Sequence, residues 1–377
     1  MKPKCRLSAL AAALALAGGA HASNVTVYGN LDAAVRHSTN IDGNNKDVTE
    51  LVSGGLTASK WGFKGSEDLG GDLRAVFQLE SGIGIDTGQG KQQNVGSNTL
   101  FGRQAYVGLT GDFGSLTFGR QYNALNVAFD YQPIGGIYYS DPFFVGGDNF
   151  FMGYRINNSV VYAKSFGALS VQLDYGFGER GGSGRNGATY GASLAYVAGP
   201  LNLGGAYEQA RAVDGATTAK TWTAGGGYAI GPAKLYLGHL HNREEGASER
   251  SRKMTFGGVS YQATPALSLS GGYYSYRQSD CAGVCVVTPG SASNVSGGMG
   301  SNAATGFATG AGRGKADIVA LVANYALSKR TSVYLEADRT DARDGAARDD
   351  VNYWWGDSPR LSKLRRTGVM VGLRQSF

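Results

Sequence analysis

The sequence predicts an all-β protein, a transmembrane antiparallel β-barrel of about sixteen strands. Three observations carry that prediction. Apolar and polar side chains alternate with period two from end to end. The connections between alternating segments fall into a short and a long class, and the two classes take turns along the chain. The opening residues read as an export leader, yet the rest of the chain contains no run apolar enough for a membrane-spanning helix, and mean hydropathy is −0.21.

The leader rests on three bases, Lys2, Lys4 and Arg6, then an apolar run over 7–20, then Ala20-His21-Ala22. A basic head, a short apolar centre and a small-x-small end describe a secretory signal peptide. The run of about 14 residues falls short of the ~20 that a spanning helix needs. Cleavage is expected after Ala22, giving a signal peptide at 1–22 and one barrel domain at 23–377.

Composition fits that domain. The chain has 60 glycines, 21 tyrosines and eight prolines among 377 residues. Glycine serves bends and close strand approach, and tyrosine suits a membrane–water boundary. The net charge of +6 includes the three leader bases, and the remainder is dispersed, which argues against a nucleic-acid partner. Cys5 lies in the leader. Cys281 and Cys285 sit in a Gly/Ser-rich stretch and read as a small loop disulfide, since neither a histidine nor a third cysteine lies near to complete a metal set. No cofactor is expected.

The alternation is plain in Leu73-Arg-Ala-Val-Phe-Gln-Leu-Glu80 and cleaner in Leu169-Ser-Val-Gln-Leu-Asp-Tyr175, in Leu201-Asn-Leu-Gly-Gly-Ala-Tyr207 and in Leu267-Ser-Leu-Ser-Gly-Gly-Tyr273. Short connections are expected at 67–72, 111–114, 165–168, 198–200, 230–232, 262–265 and 327–330. Long ones are expected at 38–55, 85–98, 122–153, 178–188, 210–219, 243–251, 278–315 and 340–364. Tight periplasmic turns and long extracellular loops are how an outer-membrane barrel is wound, whereas a soluble sandwich has no reason to segregate loop lengths. An even strand count lets the first strand (24–37) pair with the last (365–377) and removes both sheet edges. Sixteen strands leave an aqueous lumen. On the last strand Val369, Val371, Leu373 and Phe377 share one parity, and an aromatic there is what a chain handed to outer-membrane assembly machinery would carry.

Several segments resemble one family. Val25-Thr-Val-Tyr-Gly-Asn-Leu-Asp32 looks like the first strand of Gram-negative general porins, and Lys60-Trp-Gly-Phe-Lys-Gly-Ser-Glu-Asp-Leu-Gly-Gly71 resembles their second strand and first turn. Phe118-Gly-Arg-Gln121, Asn158-Ser-Val160, Leu327-Ser-Lys-Arg-Thr331 and Gly372-Leu-Arg-Gln-Ser-Phe377 also match, so the resemblance runs from residue 24 to 377 and is nearest to the β-proteobacterial branch. It implies a homotrimer of sixteen-stranded barrels in the outer-membrane lipid, a third loop folded into the lumen, and passive diffusion of small hydrophilic solutes and ions.

A pore needs a constriction and a field within it. The segment 122–153 carries Tyr122, Phe129, Tyr131, Tyr138, Tyr139, Phe143 and Phe144, more aromatics than a solvated loop uses. It reads as a loop folded against the inner wall, with a hairpin over the mouth as the alternative. The resemblance makes it the constriction loop. Relatives often carry a Pro-Glu-Phe-Gly-Gly-like stretch, and here Pro133-Ile134-Gly135-Gly136 lacks the acid, leaving Asp130, Asp141 and Asp148 as candidate loop carboxylates. The facing basic row carries over to Lys60, Arg120 and Arg155, and parity adds Arg74. Arg120 shares parity with Leu116 and Phe118, and Arg103 shares it with Val107 and Leu109. Each must lie beyond the lipid-facing part of its strand or beside a bulge, because a base facing lipid at mid-depth costs ~2–4 kcal/mol. The outward aromatics Trp61, Phe63, Tyr175, Tyr207, Tyr273 and Phe377 read as interfacial girdle residues.

The basic row and the missing loop acid predict a weakly anion-preferring or nonselective channel. Other readings are weaker. A barrel hydrolase needs a Ser/His or Asp/His constellation, and beyond the leader only His37, His239 and His241 occur, none in a recognisable motif. A solute-specific channel would differ only at the constriction, and a closed adhesin barrel would lack one. Gly-Ser-Gly-Arg-Asn-Gly at 182–187 lies in a long connection and reads as flexible loop, not a nucleotide site.

Overall fold

The computed structural model describes residues 24–40, 46–91, 99–134, 142–144, 153–279, 282–283, 295–296, 312–345 and 363–377. The leader, Cys281, Cys285, Gly135, Gly136, Asp141 and Asp148 lie outside the described residues.

Among the described residues, the alternating segments form sixteen long strands: β1 (Asn24–Ser38), β2 (Val48–Ser53 resuming as Lys60–Gly70), β3 (Leu73–Ile83), β4 (Gln104–Gly111), β5 (Gly114–Tyr122), β6 (Arg155–Phe166), β7 (Leu169–Gly176) and β8 (Thr189–Ala198), followed by β9 (Leu201–Arg211), β10 (Thr217–Ile230), β11 (Ala233–Gly246), β12 (Ser248–Gln262), β13 (Leu267–Gln278), β14 (Gly314–Ala326), β15 (Thr331–Asp344) and β16 (Lys363–Ser376). Each pairs antiparallel with the next. The ring closes where Asn30 pairs with Ser376 and Ser38 with Gly368, so the sheet has no open edge.

The two faces follow the sequence parity. On β1, Asn30, Asp32, Ala34, Arg36 and Ser38 turn inward and are buried, while Leu31 and Val35 face out. On β16, Arg366 and Met370 turn in, and Val369, Val371 and Leu373 are exposed. This outward apolar surface is the lipid-facing band of a membrane barrel, because each strand can be half polar and still sit in hydrocarbon. Tyr175, Tyr207, Tyr273 and Phe377 lie on it, as expected of girdle residues.

Three loop expectations are corrected, the connection placed at 210–219 being only the five residues 212–216 between β9 and β10. The connection placed at 38–55 is shorter, since Val48–Ser53 pairs with the upper half of β1. The strand then breaks at 54–59, where Gly-Gly-Leu-Thr-Ala-Ser loses its alternation and Gly54 takes φ +82°. The break folds inward onto Asp32, whose carboxylate accepts hydrogen bonds from the N–H groups of Gly55, Leu56 and Thr57 at 3.2, 3.1 and 2.8 Å. Tyr334 donates its hydroxyl to the same carboxylate at 2.6 Å. The long connection placed at 243–251 is instead a tight hairpin. β11 runs to Gly246 and β12 restarts at Ser248, with Glu244 opposite Arg250. Its polar residues are strand residues paired across the ladder, Arg252 with Glu244 among them, which is why polarity alone misplaced them.

The apolar core lies inside the barrel. It joins the segment linking β5 to β6 to the inner wall of β9 to β14 and continues through Ala34, Val52, Leu56, Tyr334 and Met370 beside the barrel seam.

Candidate pore constriction

The chain leaves β5 at Tyr122 and forms a 3-10 helix, Ala124–Tyr131, that buries Leu125, Val127, Ala128 and Tyr131 against the wall. A row of inward glycines makes room for it. A side-chain carbon on Gly204 would lie 2.8 Å from the Tyr131 ring, and one on Gly225 would overlap it. Further round, Gly258 meets Pro133 and Gly272 meets Ile134. Tyr131 stacks on Phe256, and Phe143 packs edge-on to Phe256 at 5.1 Å and to Tyr274 at 6.2 Å. The Tyr131 hydroxyl is 2.5 Å from Thr223 Oγ1. The third long connection is thus folded into the lumen, not over the mouth, at each of its described residues. Loss of side chains from the wall and gain of aromatics on the loop are two halves of one packing solution.

Opposite β9–β13, the wall of β2 to β6 carries a basic group. Lys60 Nζ lies 3.6 Å from Glu80 Oε2, and Arg103 Nε donates to Glu80 Oε1 at 2.6 Å. Tyr28 donates to the other Glu80 oxygen at 2.9 Å. Arg103 also reaches the Tyr122 hydroxyl at 3.2 Å, and Arg155 reaches the same atom at 3.3 Å. The Arg155 guanidinium lies 4.9 Å from the Tyr122 ring centre and 4.5 Å from that of Tyr154, against both of two stacked rings. Arg120 donates to the Gly102 carbonyl at 2.7 Å and to Asn157. The described part of this group therefore sets two cations, Lys60 and Arg103, on one carboxylate, with Arg155 joined to Arg103 through the Tyr122 hydroxyl.

Of the bases carried over from the resemblance, Lys60 and Arg155 join one network through Glu80, Arg103 and Tyr122, and Arg120 bonds to Asn157 on the adjoining strand. Arg120 escapes the lipid face through a bulge: the β5–β6 register slips between Gly119 and Gln121, with Gly119 at φ +134° and Asn158 at φ +49°. Arg103 precedes β4 and so is free of that strand's parity. Arg74 is a correction. It faces inward in pattern but sits exposed beside the Gly70–Leu73 turn, opposite Asp68 and six residues below Glu80 along β3, or ~20 Å at ~3.3 Å per residue. Asp130 is another. Its carbonyl accepts from Asn202 at 3.2 Å, one residue from a short turn, so it lies at the periplasmic end and not across from the bases. Pro133 is buried against β12 and does not line the opening. Glu80 was legible only as an inward acid. Its role as the hub of the bases depends on which strands meet, and period two does not report that.

A closed sixteen-stranded barrel narrowed by an inward loop, with a charged wall facing the gap, defines an outer-membrane pore. The comparisons carry this to a family. Residues 9–345 match the model for Gram-negative porins. The chain is 30% identical to an outer membrane porin protein of Bordetella pertussis over 98% of this chain and 99% of that one. It is 34% identical to outer membrane porin protein 32 of Delftia acidovorans over 59% of this chain and 66% of the relative. Among solved structures, the anion-selective porin from Comamonas acidovorans superposes with a TM-score of 0.73 at 25% identity, covering 94% of this chain and all of that one. The chain belongs to the Gram-negative porins: it is an outer-membrane channel through which small hydrophilic solutes diffuse.

Proposed function

We propose that this porin is weakly anion-preferring, and that Lys60, Arg103, Arg120 and Arg155 set the preference. The observation that carries the reading is the basic network on the wall facing the folded-in loop, with Lys60 and Arg103 on Glu80, Arg155 joined to Arg103 through the Tyr122 hydroxyl, and Arg120 bonded to Asn157 on the adjoining strand. Cations fixed in low-dielectric walls project their field into a narrow lumen, where anions gain and cations lose. Likeness to the anion-selective porin from Comamonas acidovorans supports the same sign. Reversal potential across a planar bilayer in a salt gradient tests it: a potential of anion sign is expected, and strong cation selectivity would reject it. Arg120→Glu and Arg155→Glu should each move the potential towards cations, and a variant that fails to move it removes that residue from the set.

The same proposal includes a homotrimer, on family resemblance. A barrel of like fold from Vibrio cholerae, 15% identical with a TM-score of 0.61, was solved in a trimer form. Native mass measurement of the detergent-extracted protein checks the state. It also includes removal of 1–22, which N-terminal sequencing of the outer-membrane protein would reveal as a start at Ser23.

A further inference from the structure

The base of the inward loop is fastened by two acids. Asp174 on β7 and Glu208 on β9 flank Gly191 on β8, each directly opposite it in the ladder. Asp174 Oδ2 accepts the Ala124 N–H at 2.9 Å, and Glu208 Oε1 accepts from Asn123 Nδ2 at 2.7 Å. Each carboxylate thus gives one oxygen to the loop. The other oxygens, Asp174 Oδ1 and Glu208 Oε2, are buried without a hydrogen-bond partner, and so are Asn123 Oδ1 and Thr189 Oγ1 on the next inward residue of β8. Glu208, Asn123 and Thr189 are 0% exposed and Asp174 is 5% exposed.

The geometry points to a site for a divalent cation of the calcium class between Asp174, Glu208 and Asn123, with Thr189 beside it. Two adjacent carboxylates lie buried, and among the described residues neither forms an ion pair, so either a bound cation or protons must offset their charge. The unpartnered atoms are all oxygens, two of them anionic, which is the donor set of a hard cation. The carboxylate oxygens converge: a carbon placed on Gly191 would lie 3.0 and 3.1 Å from the two Asp174 oxygens and 3.1 Å from Glu208 Oε2. Shifts of roughly half an ångström bring such atoms to the ~2.3–2.6 Å of Ca²⁺ ligation, in an irregular arrangement that Ca²⁺ accepts and Mg²⁺ does not. Glycine at 191 leaves that space open. A cation there would tie the loop's first residues to three strands.

The test uses the intact barrel in detergent, stripped with EDTA and titrated with calcium chloride. Thermal unfolding should shift upward with Ca²⁺ in the wild type, and the shift should be lost in Glu208→Gln and Asp174→Asn. Tb³⁺ as a luminescent stand-in should bind, with Ca²⁺ displacing it, and should give an anomalous-scattering peak over Gly191 in wild-type crystals, a readout that stands even if the variants do not fold. The proposal is overturned if Ca²⁺ leaves the wild-type midpoint unchanged, if it stabilises Glu208→Gln equally, or if the Tb³⁺ peak falls only elsewhere. Stability that follows pH but ignores Ca²⁺ would mean that protons neutralise the pair, and would overturn it too.

Discussion

Replacing Lys60 by Gln removes one charge at the most accessible point of the basic group, where the side chain is 27% exposed and 3.6 Å from Glu80. For an ion passing ~6 Å from the ammonium at a water-like dielectric, the unscreened interaction is ~0.7 kcal/mol. At 0.1 M salt the Debye length of ~10 Å reduces it to ~0.4 kcal/mol, nearly twofold in occupancy for each ion sign. Anions lose that factor and cations gain it, so the anion-to-cation permeability ratio should fall ~4-fold. At 1 M salt, with a Debye length of ~3 Å, the change should shrink to ~1.4-fold. Reversal potentials of wild type and variant at both concentrations read this directly. No shift at low salt, a shift that favours anions, or one as large at 1 M as at 0.1 M would refute a field set by Lys60. Circular dichroism and heat-modified gel mobility of the variant show that the barrel is still closed.

Arg155→Met should cost ~2–4 kcal/mol of stability, since it removes a desolvated guanidinium from against the Tyr122 and Tyr154 rings, and thermal unfolding in detergent measures it. Gly225→Val should push the Tyr131 ring off the wall, because the added carbon occupies the ring's place, and single-channel conductance should become noisier and change in size. Tyr334→Phe should lower stability by ~1–3 kcal/mol by leaving the buried Asp32 carboxylate short of one donor, read as a lower denaturant midpoint on refolding into micelles. Val371→Arg should cost ~2–4 kcal/mol, as its outward, 59%-exposed position on β16 puts the base in lipid, whereas the same change at Met370 would turn the base inward among packed side chains.

The face that a residue takes was legible in the sequence; the depth at which it sits was not. Period two assigns inside or outside from one binary choice repeated along a strand, so Lys60 against Trp61, or Val371 against Met370, follows from a short window. Nothing in that pattern says how far along the barrel axis a residue lies. Arg74 has the right parity and the wrong height. Asp130 belongs to the right loop at the wrong end of the pore. Exceptions to parity were more informative than agreement with it. Arg120 could not face lipid at a tolerable cost, and that conflict required the bulge which Gly119 and Asn158 supply.

Glycine was ambiguous for a related reason. Its chain-wide abundance suits turns, bends and close approach alike, and only the assembled wall shows Gly204, Gly225, Gly258 and Gly272 lined up beneath one loop. That row has a consequence for the pore. The loop is held by aromatic packing on one side, through Tyr131 and Phe143, while Phe129 extends the ring contacts across to Tyr154, which also holds Arg155. The opening's width and the position of its charge are therefore set by one continuous set of rings. A substitution that loosens the loop should disturb ion preference as well as conductance, whereas Lys60→Gln, outside that set of rings, should change preference and leave conductance at high salt near the wild-type value.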